Sequence, residues 1–189
     1  TVETAVQEQA NGTADAVLAA APLLDGPFLV ANADDLYGRE AVLDLVRHAE
    51  STNEAALVGY PLGTVLSSEG PVSRAVCRTD DAYLLTGLEE FPSVTDPTDP
   101  TLPVSMNLWA FGHEHLAALE AVRAALSHQP EFGLPQAVDR IVRGESGAIR
   151  VLPARSNWHG MTHAHDRKRV ESHLATAVTA GDYPPDLWA

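Results

Sequence analysis

The chain has 189 residues, 45% of them apolar and 6% aromatic, enough to bury the core of one globular domain and unlike the composition of a disordered segment. Its formal net charge of −14 and sequence pI near 4.8 describe a surface that repels nucleic-acid backbones and anionic membranes, which argues against both as partners. No apolar run reaches the length of a membrane helix, no basic and then apolar leader opens the chain, and Cys77 is the single cysteine, a pattern that fits the reducing cytoplasm.

The hydrophobic spacing changes period along the chain. Ala14, Val17, Leu18 and Ala21 recur at helical spacing. Residues 27–33 (PFLVANA), set between Asp25-Gly26 and Asp34-Asp35, read as a buried strand. Val42, Leu45, Val46 and Ala49 mark an amphipathic helix, and residues 55–60 (AALVGY) a second buried strand closed by Pro61. This alternation of helix and strand predicts a parallel sheet covered by helices. Residues 72–78 and 82–88 are β-rich runs joined across Asp80-Asp81, the pattern of a hairpin. The segment from Phe91 to Pro103 holds four prolines and reads as a loop. Residues 104–111 (VSMNLWAF) read as a strand, followed by a helix on Leu116, Leu119, Val122 and Leu126. A shorter helix on Leu134, Val138, Ile141 and Val142 tolerates Pro135 in its first turn. Residues 148–152 form a strand, and the last helix, on Val170, Leu174, Ala177 and Val178, opens at Asp166 and stops near Gly181. No repeat or long linker interrupts this order, so residues 1–189 read as a single α/β domain.

Several segments carry chemistry. Asp34 and Asp35 directly follow the first strand, and in open α/β sheets ligands bind beyond the carboxyl ends of strands. Paired hard oxygens there suit Mg²⁺, which takes one or two carboxylates together with substrate phosphates. Either carboxylate could instead cap the helix that begins near Arg39. Gly12 precedes a helix start, where a small residue lets a ligand approach the backbone and the helix end favours anions. The plainer alternative is a helix start capped by Thr13. His159, His163 and His165 fall within seven residues beside Asp166, a spacing compatible with a transition-metal site and hence with a metal-dependent hydrolase. A partly exposed His-rich loop is the plainer reading. His113 and His115 flank Glu114 at a helix start. Cys77 reads as a small core residue, and the Asp166-Arg167-Lys168-Arg169 run as the solvated first turn of a helix. Trp158 either packs in the core or stacks on a ligand. Arg74, Arg78 and Arg155 are candidate phosphate contacts.

Taken in order, these segments resemble the sugar-phosphate nucleotidyltransferase family. The resemblance runs from Gln7, through Gly12-Thr13-Ala14-Asp15-Ala16-Val17 and Asn32-Ala33-Asp34-Asp35-Leu36-Tyr37-Gly38, to the strand, loop and strand of residues 59–78, which resemble one bacterial subgroup. It continues through Thr86-Gly87-Leu88-Glu89-Glu90, residues 104–111, Glu131-Phe132-Gly133-Leu134-Pro135 and Trp158-His159-Gly160-Met161-Thr162-His163-Ala164-His165-Asp166. The resemblance implies a Rossmann-like, mostly parallel mixed sheet with helices on both faces. It implies transfer of a nucleoside monophosphate from a nucleoside triphosphate to a sugar 1-phosphate, with release of pyrophosphate and with Mg²⁺ as cofactor. By the same resemblance Asp34 is the catalytic metal ligand. Gly12 and Thr13 lie against the nucleotide, Asp35 contributes to substrate binding, Glu90 (or Glu89, one position earlier) bonds sugar hydroxyls, and Asn107 faces the sugar.

Two departures from the family pattern stand out. The Gly-x-Gly-x-Arg loop that wraps the triphosphate in such enzymes does not occur here, so the chain is expected to be the C-terminal portion of the domain and, alone, not to bind triphosphate productively. Many relatives place a metal-binding Asp where this chain has Gly160, which leaves Thr162 or Asp166 to supply the second ligand, with Asp166 alternatively a helix cap. The implied partners are a nucleoside triphosphate and a sugar phosphate; a homodimer is compatible with the sequence, which does not decide it. The missing loop also keeps open a non-catalytic binding or regulatory module of the same fold.

Overall fold

The computed structural model describes residues 2–52, 54–67, 70–126, 131–144, 147–161 and 166–186. Helices α1 (Thr13–Ala20), α2 (Arg39–Ser51), α3 (Glu114–Ala125), α4 (Leu134–Arg143) and α5 (Asp166–Ala180) fall where apolar spacing places them. In α4, Leu134, Ala137, Val138 and Ile141 are all buried, the i, i+3, i+4, i+7 stripe of a helix lying on a core. Strands β1 (Phe28–Val30), β3 (Ala55–Pro61), β4 (Val72–Thr79), β5 (Leu85–Val94), β6 (Pro103–Phe111) and β7 (Ile149–Pro153) form one sheet. Two short strands, β2 (Asp35–Leu36) and β8 (His159–Gly160), pair separately and antiparallel.

The sheet is mixed, and β6 is its hub. β3 lies along one edge of β6, from Pro61 opposite Pro103 to Ala56 opposite Ala110. The other edge is shared: β1 pairs with Trp109 to Phe111, and β4 pairs with Val104 and Ser105. All these ladders are antiparallel, as is β4 with β5, whereas β3 and β7 are parallel. The expectation of a mostly parallel sheet is therefore corrected: among the described residues one ladder is parallel. The physical reason is β6. Strands β1, β3 and β7 do share a direction, as the helix–strand alternation implies, but β6 enters antiparallel between β1 and β3.

Helices cover both faces. Alternation along β3 sends Ala55 and Leu57 toward α1, α3 and α4, in a core with Trp109, Phe111, Phe132 and Ile149. Ala56, Val58 and Tyr60 point the other way, toward Ala41 and Leu45 of α2. Burial on both faces explains the unbroken apolar run of β3, and each fully buried Leu or Val there contributes about 1.5–3 kcal/mol of hydrophobic stabilisation. The run at 27–33 is different. Only Phe28–Val30 is strand, and Leu29 is 42% exposed, because among the described residues β1 pairs on one edge alone. The segment from Phe91 is also corrected, since β5 continues through Pro92 to Val94. It is the outer strand of the sheet, where a proline's missing N–H costs no ladder bond. The hairpin turn forms as expected: the Asp80 carboxylate accepts from the amides of Ala82 and Leu84, both at 2.9 Å, and holds Tyr83 at φ 61°.

Candidate functional site

Because β1 and β4 share one edge of β6, they part around its middle, and a cleft of about 530 Å³ opens there. Its walls bring together distant segments: Asn32, Asp34 and Asp35 after β1, Ser73 and Arg74 on β4, Glu90 on β5, Ser105 to Asn107 on β6, Trp158 and Gly160 around β8, and Asp166 and Arg169 on α5.

The floor is a strained bulge. Between the pairs Leu57–Trp109 and Gly59–Ser105 two steps on β3 match four on β6, and the excess is taken up around Asn107, whose φ is 62°. A non-glycine residue in the left-handed region inside a strand costs about 1–3 kcal/mol and persists only where its surroundings hold it. Tyr37 supplies the hold. Its hydroxyl donates to Met106 O at 2.8 Å and accepts from the Asn32 amide at 3.0 Å, while Tyr60 Oη donates to Tyr37 O at 2.7 Å. Burial pushes the Tyr37 phenol far above its ordinary pKa, so it remains a hydroxyl donor. The family-like motif contains Tyr37, but nothing local in it signals this partner 69 residues away.

The two adjacent carboxylates differ. Asp35 is half-buried, accepts from Asn32 Nδ2 at 2.9 Å and lies 3.2 Å from Tyr37 Oη, whose one proton it shares with the nearer Met106 O. Burial holds its carboxyl above the usual range, opposed by those donors and by the Trp158 indole, with Asp34 adding repulsion. The indole acts without a hydrogen bond of regular geometry, so Asn32 is the main donor that orients Asp35, with the shared Tyr37 hydroxyl beside it. Asp34 is exposed to the cleft, and among the described residues its carboxylate has no hydrogen bond or ion pair; its backbone carbonyl accepts from Met161 N at 3.0 Å. Neither residue caps α2. The cap position is Gly38, and the Ser156 hydroxyl accepts from the Ala41 amide at 3.2 Å, so a serine 115 positions along the chain does what the local reading assigned to aspartate.

Glu90 lines the cleft and accepts from Ser73 Oγ, whereas Glu89 points away and pairs with Arg78. Strand alternation thus favours Glu90 over Glu89 as the cleft-facing residue. Asp166 is 9% exposed and takes a 3.0 Å bond from Arg169 Nη2, which corrects the reading of residues 166–169 as a wholly solvated turn. At Gly160, opposite Asp35 on β8, a Cβ would sit 2.5 Å from the Trp158 ring. The close approach of Trp158 requires glycine there and accounts for the absence of an aspartate.

Gly12 and Thr13 are not brought to this cleft. A Cβ on Gly12 would lie 2.5 Å from Phe132 O, and Thr13 Oγ1 accepts from Leu134 N at 2.8 Å, so both brace α1 against the entry to α4. Gly12, not Thr13, occupies the cap position of α1. Of the His-rich segment, Thr162, His163 and His165 lie outside the described residues. The His159 ring packs against His173 with centroids 4.2 Å apart, and its buried Nε2 has no hydrogen-bond partner among the described residues. His115 is buried against Phe111, its Nδ1 3.3 Å from Gly112 O. Cys77 is buried on β4, and burial pushes its thiol up to about 12.

The donor set suits a hard cation that keeps most of its ligands from elsewhere. Among the described residues no three His, Cys, Asp or Glu side chains gather into a cage. Mg²⁺ needs no such cage, since it binds one or two carboxylates with phosphates and water. Asp34 offers an uncommitted carboxylate and Asp166 a second on the facing helix, both on the wall of one cleft. No helix among the described residues is long and apolar enough to cross a membrane. Compared with known proteins, the chain matches no family model and no curated protein sequence.

Proposed function

We propose that this chain carries the sugar-phosphate side and the metal carboxylates of a sugar-1-phosphate nucleotidyltransferase. The mixed sheet is then of the Rossmann-like type that such enzymes share. What supports the reading is that Asp34 with its neighbour Asp35, Glu90, Asn107 and Asp166, drawn from four segments that lie far apart in the sequence and resemble the family's pattern one segment at a time, line a single cleft.

In this reading a phosphate oxygen of the sugar 1-phosphate attacks the α-phosphorus of a nucleoside triphosphate, the α–β bridging bond breaks, and pyrophosphate leaves with its electron pair. Asp34 and Asp166 would hold Mg²⁺, which when bound would supply charge neutralisation to the phosphates. The chain's own residues position the partners. Glu90 accepts from sugar hydroxyls, and the bulge at Asn107, riveted by Tyr37, fixes the floor on which the sugar rests. Asp35, tied to Asn32 and Tyr37, keeps the turn that carries Asp34 in place. A surface as acidic as this one leaves the phosphates dependent on a cation.

The test is Asp34→Asn in the intact protein. Because Asp34 is exposed and among the described residues its carboxylate bonds nothing, thermal stability should stay unchanged while pyrophosphate release falls by roughly 10³-fold. An unchanged rate would remove Asp34 from the reaction. An intact protein that binds an aldose 1-phosphate yet releases no pyrophosphate would instead be the non-catalytic module of the same fold.

A further inference from the structure

The sequence leaves Arg74, Arg78 and Arg155 equal as phosphate contacts; their partners separate them. Arg155 is tied to Asp44 and Glu40, and Arg78 to Glu89. Arg169, the other guanidinium on the cleft wall, pairs with Asp166. Among the described residues every arginine reaches a carboxylate oxygen except Arg74 and the exposed Arg140. Arg74 is half-buried, in a place where an unpaired charge is costly. The carboxylates that act on it, Asp35 and Glu90, do so without forming an ion pair, and burial draws its pKa down against their pull.

Its guanidinium is nonetheless fixed. Nε and Nη2 donate to Val65 O at 3.0 and 2.6 Å, and Nη1 donates to Ser73 O at 2.7 Å. Its Cζ lies over the Trp158 ring, 5.4 Å from the centroid. A guanidinium has five N–H groups, so one on Nη1 and one on Nη2 are left without a partner among the described residues. Two donors on adjacent nitrogens form the fork that matches two oxygens of a phosphate.

We propose that Arg74 is the anchor for a phosphate group in this cleft, with Trp158 and the Val65 carbonyl as its support. The proposal takes its ligand class from the nucleotidyltransferase reading but rests on binding alone. Two sources carry such a group, the sugar phosphate and the nucleotide, and the position of Arg74 beside Glu90 on the sugar wall favours the first.

The experiment is a calorimetric titration of the intact protein with inorganic phosphate, glucose 1-phosphate and ATP, each in excess Mg²⁺. Arg74→Gln should weaken inorganic phosphate and glucose 1-phosphate by about tenfold or more, the scale of a lost charge-assisted bond. Arg74→Lys should recover part of that loss, and Arg78→Gln, paired with Glu89 outside the cleft, should change nothing. The lysine variant and near-ultraviolet circular dichroism of Trp158 guard against simple misfolding. Loss confined to ATP would support the anchor and move it to the nucleotide. Wild-type protein that binds none of the three probes, or a well-folded Arg74→Gln that binds them all as wild type does, overturns the proposal. Phosphate binding that depends on Arg74 in a protein with no transferase activity would sink the proposed function and leave Arg74 standing.

Discussion

Residues 11–15 and residues 32–38 are built alike. Each is rich in small and polar residues at the start of a helix, and each holds a glycine at the cap position with positive φ, Gly12 at 107° and Gly38 at 76°. Neither helix takes a side-chain cap from its own segment, and both glycines are pressed by a distant one, Phe132 on Gly12 and Ser156 on Gly38. The difference lies in where the polar atoms go. At 11–15 they turn inward: Gln7 Nε2 donates to Gly12 O and Asp15, and Thr13 accepts from Leu134. At 32–38 the fold satisfies Asp35 and Tyr37 and leaves the Asp34 carboxylate facing the cleft. Similar motifs thus become a brace in one place and a candidate site in the other, and it is the partners that decide which.

The sharpest way to break this contrast is Gly12→Ala. The new methyl must occupy space 2.5 Å from a backbone oxygen at a φ that alanine avoids. The cost should be about 3 kcal/mol in urea unfolding, from strain and overpacking together. Phosphate binding in the cleft should survive under conditions where the variant remains folded. A stable Gly12→Ala that loses ligand binding would make residues 11–15 part of the site. Tyr37→Phe is the matching test of the other segment. Removing the hydroxyl leaves the Met106 carbonyl and the Asn32 amide short of a partner, at about 2 kcal/mol. Here ligand affinity should fall along with stability, because the bulge at Asn107 loses its rivet. Equal affinity in the variant would mean that the bulge holds itself.

What was legible in the sequence follows the range of the interactions. The amphipathic helices α2 and α4, the buried run of β3 and the turn at Asp80 depend on neighbours a few residues apart, and apolar spacing or turn chemistry reveals them. The central place of β6 does not show, because its edges are shared with strands up to about eighty residues away. Strands β2 and β8 have two residues each, too few for any period, yet they bring Asp35 opposite Gly160. The carboxylates and Asn107 could be singled out by residue type and order. That Tyr37 holds the floor, that Ser156 rather than an aspartate serves α2, and that Arg74 alone of three candidate arginines has no ion pair among the described residues are facts of partnership that local spacing does not carry.

The smallest effect should appear in the pH dependence of the clasp between β2 and β8. His159 faces Leu36 there and packs on His173 of α5. Burial, then the neighbouring His173 and Arg169, hold its pKa below the ordinary 6.5. A depressed value means that the folded protein resists protonation more than the unfolded chain does. The stability this contributes is present above 6.5 and is lost as the pH falls through the lower folded value. Amide exchange of Met161 N, whose bond to Asp34 O closes the clasp, should therefore quicken on acidification once intrinsic exchange is corrected for. Exchange of Ala14 N, bonded to Phe132 O in the brace, should not respond. His159→Phe keeps a ring against His173 and removes the titration, so it should flatten the response at Met161. If Ala14 loosens in step with Met161, or if the variant keeps the full response, the two segments are not the independent units that their hydrogen bonds describe.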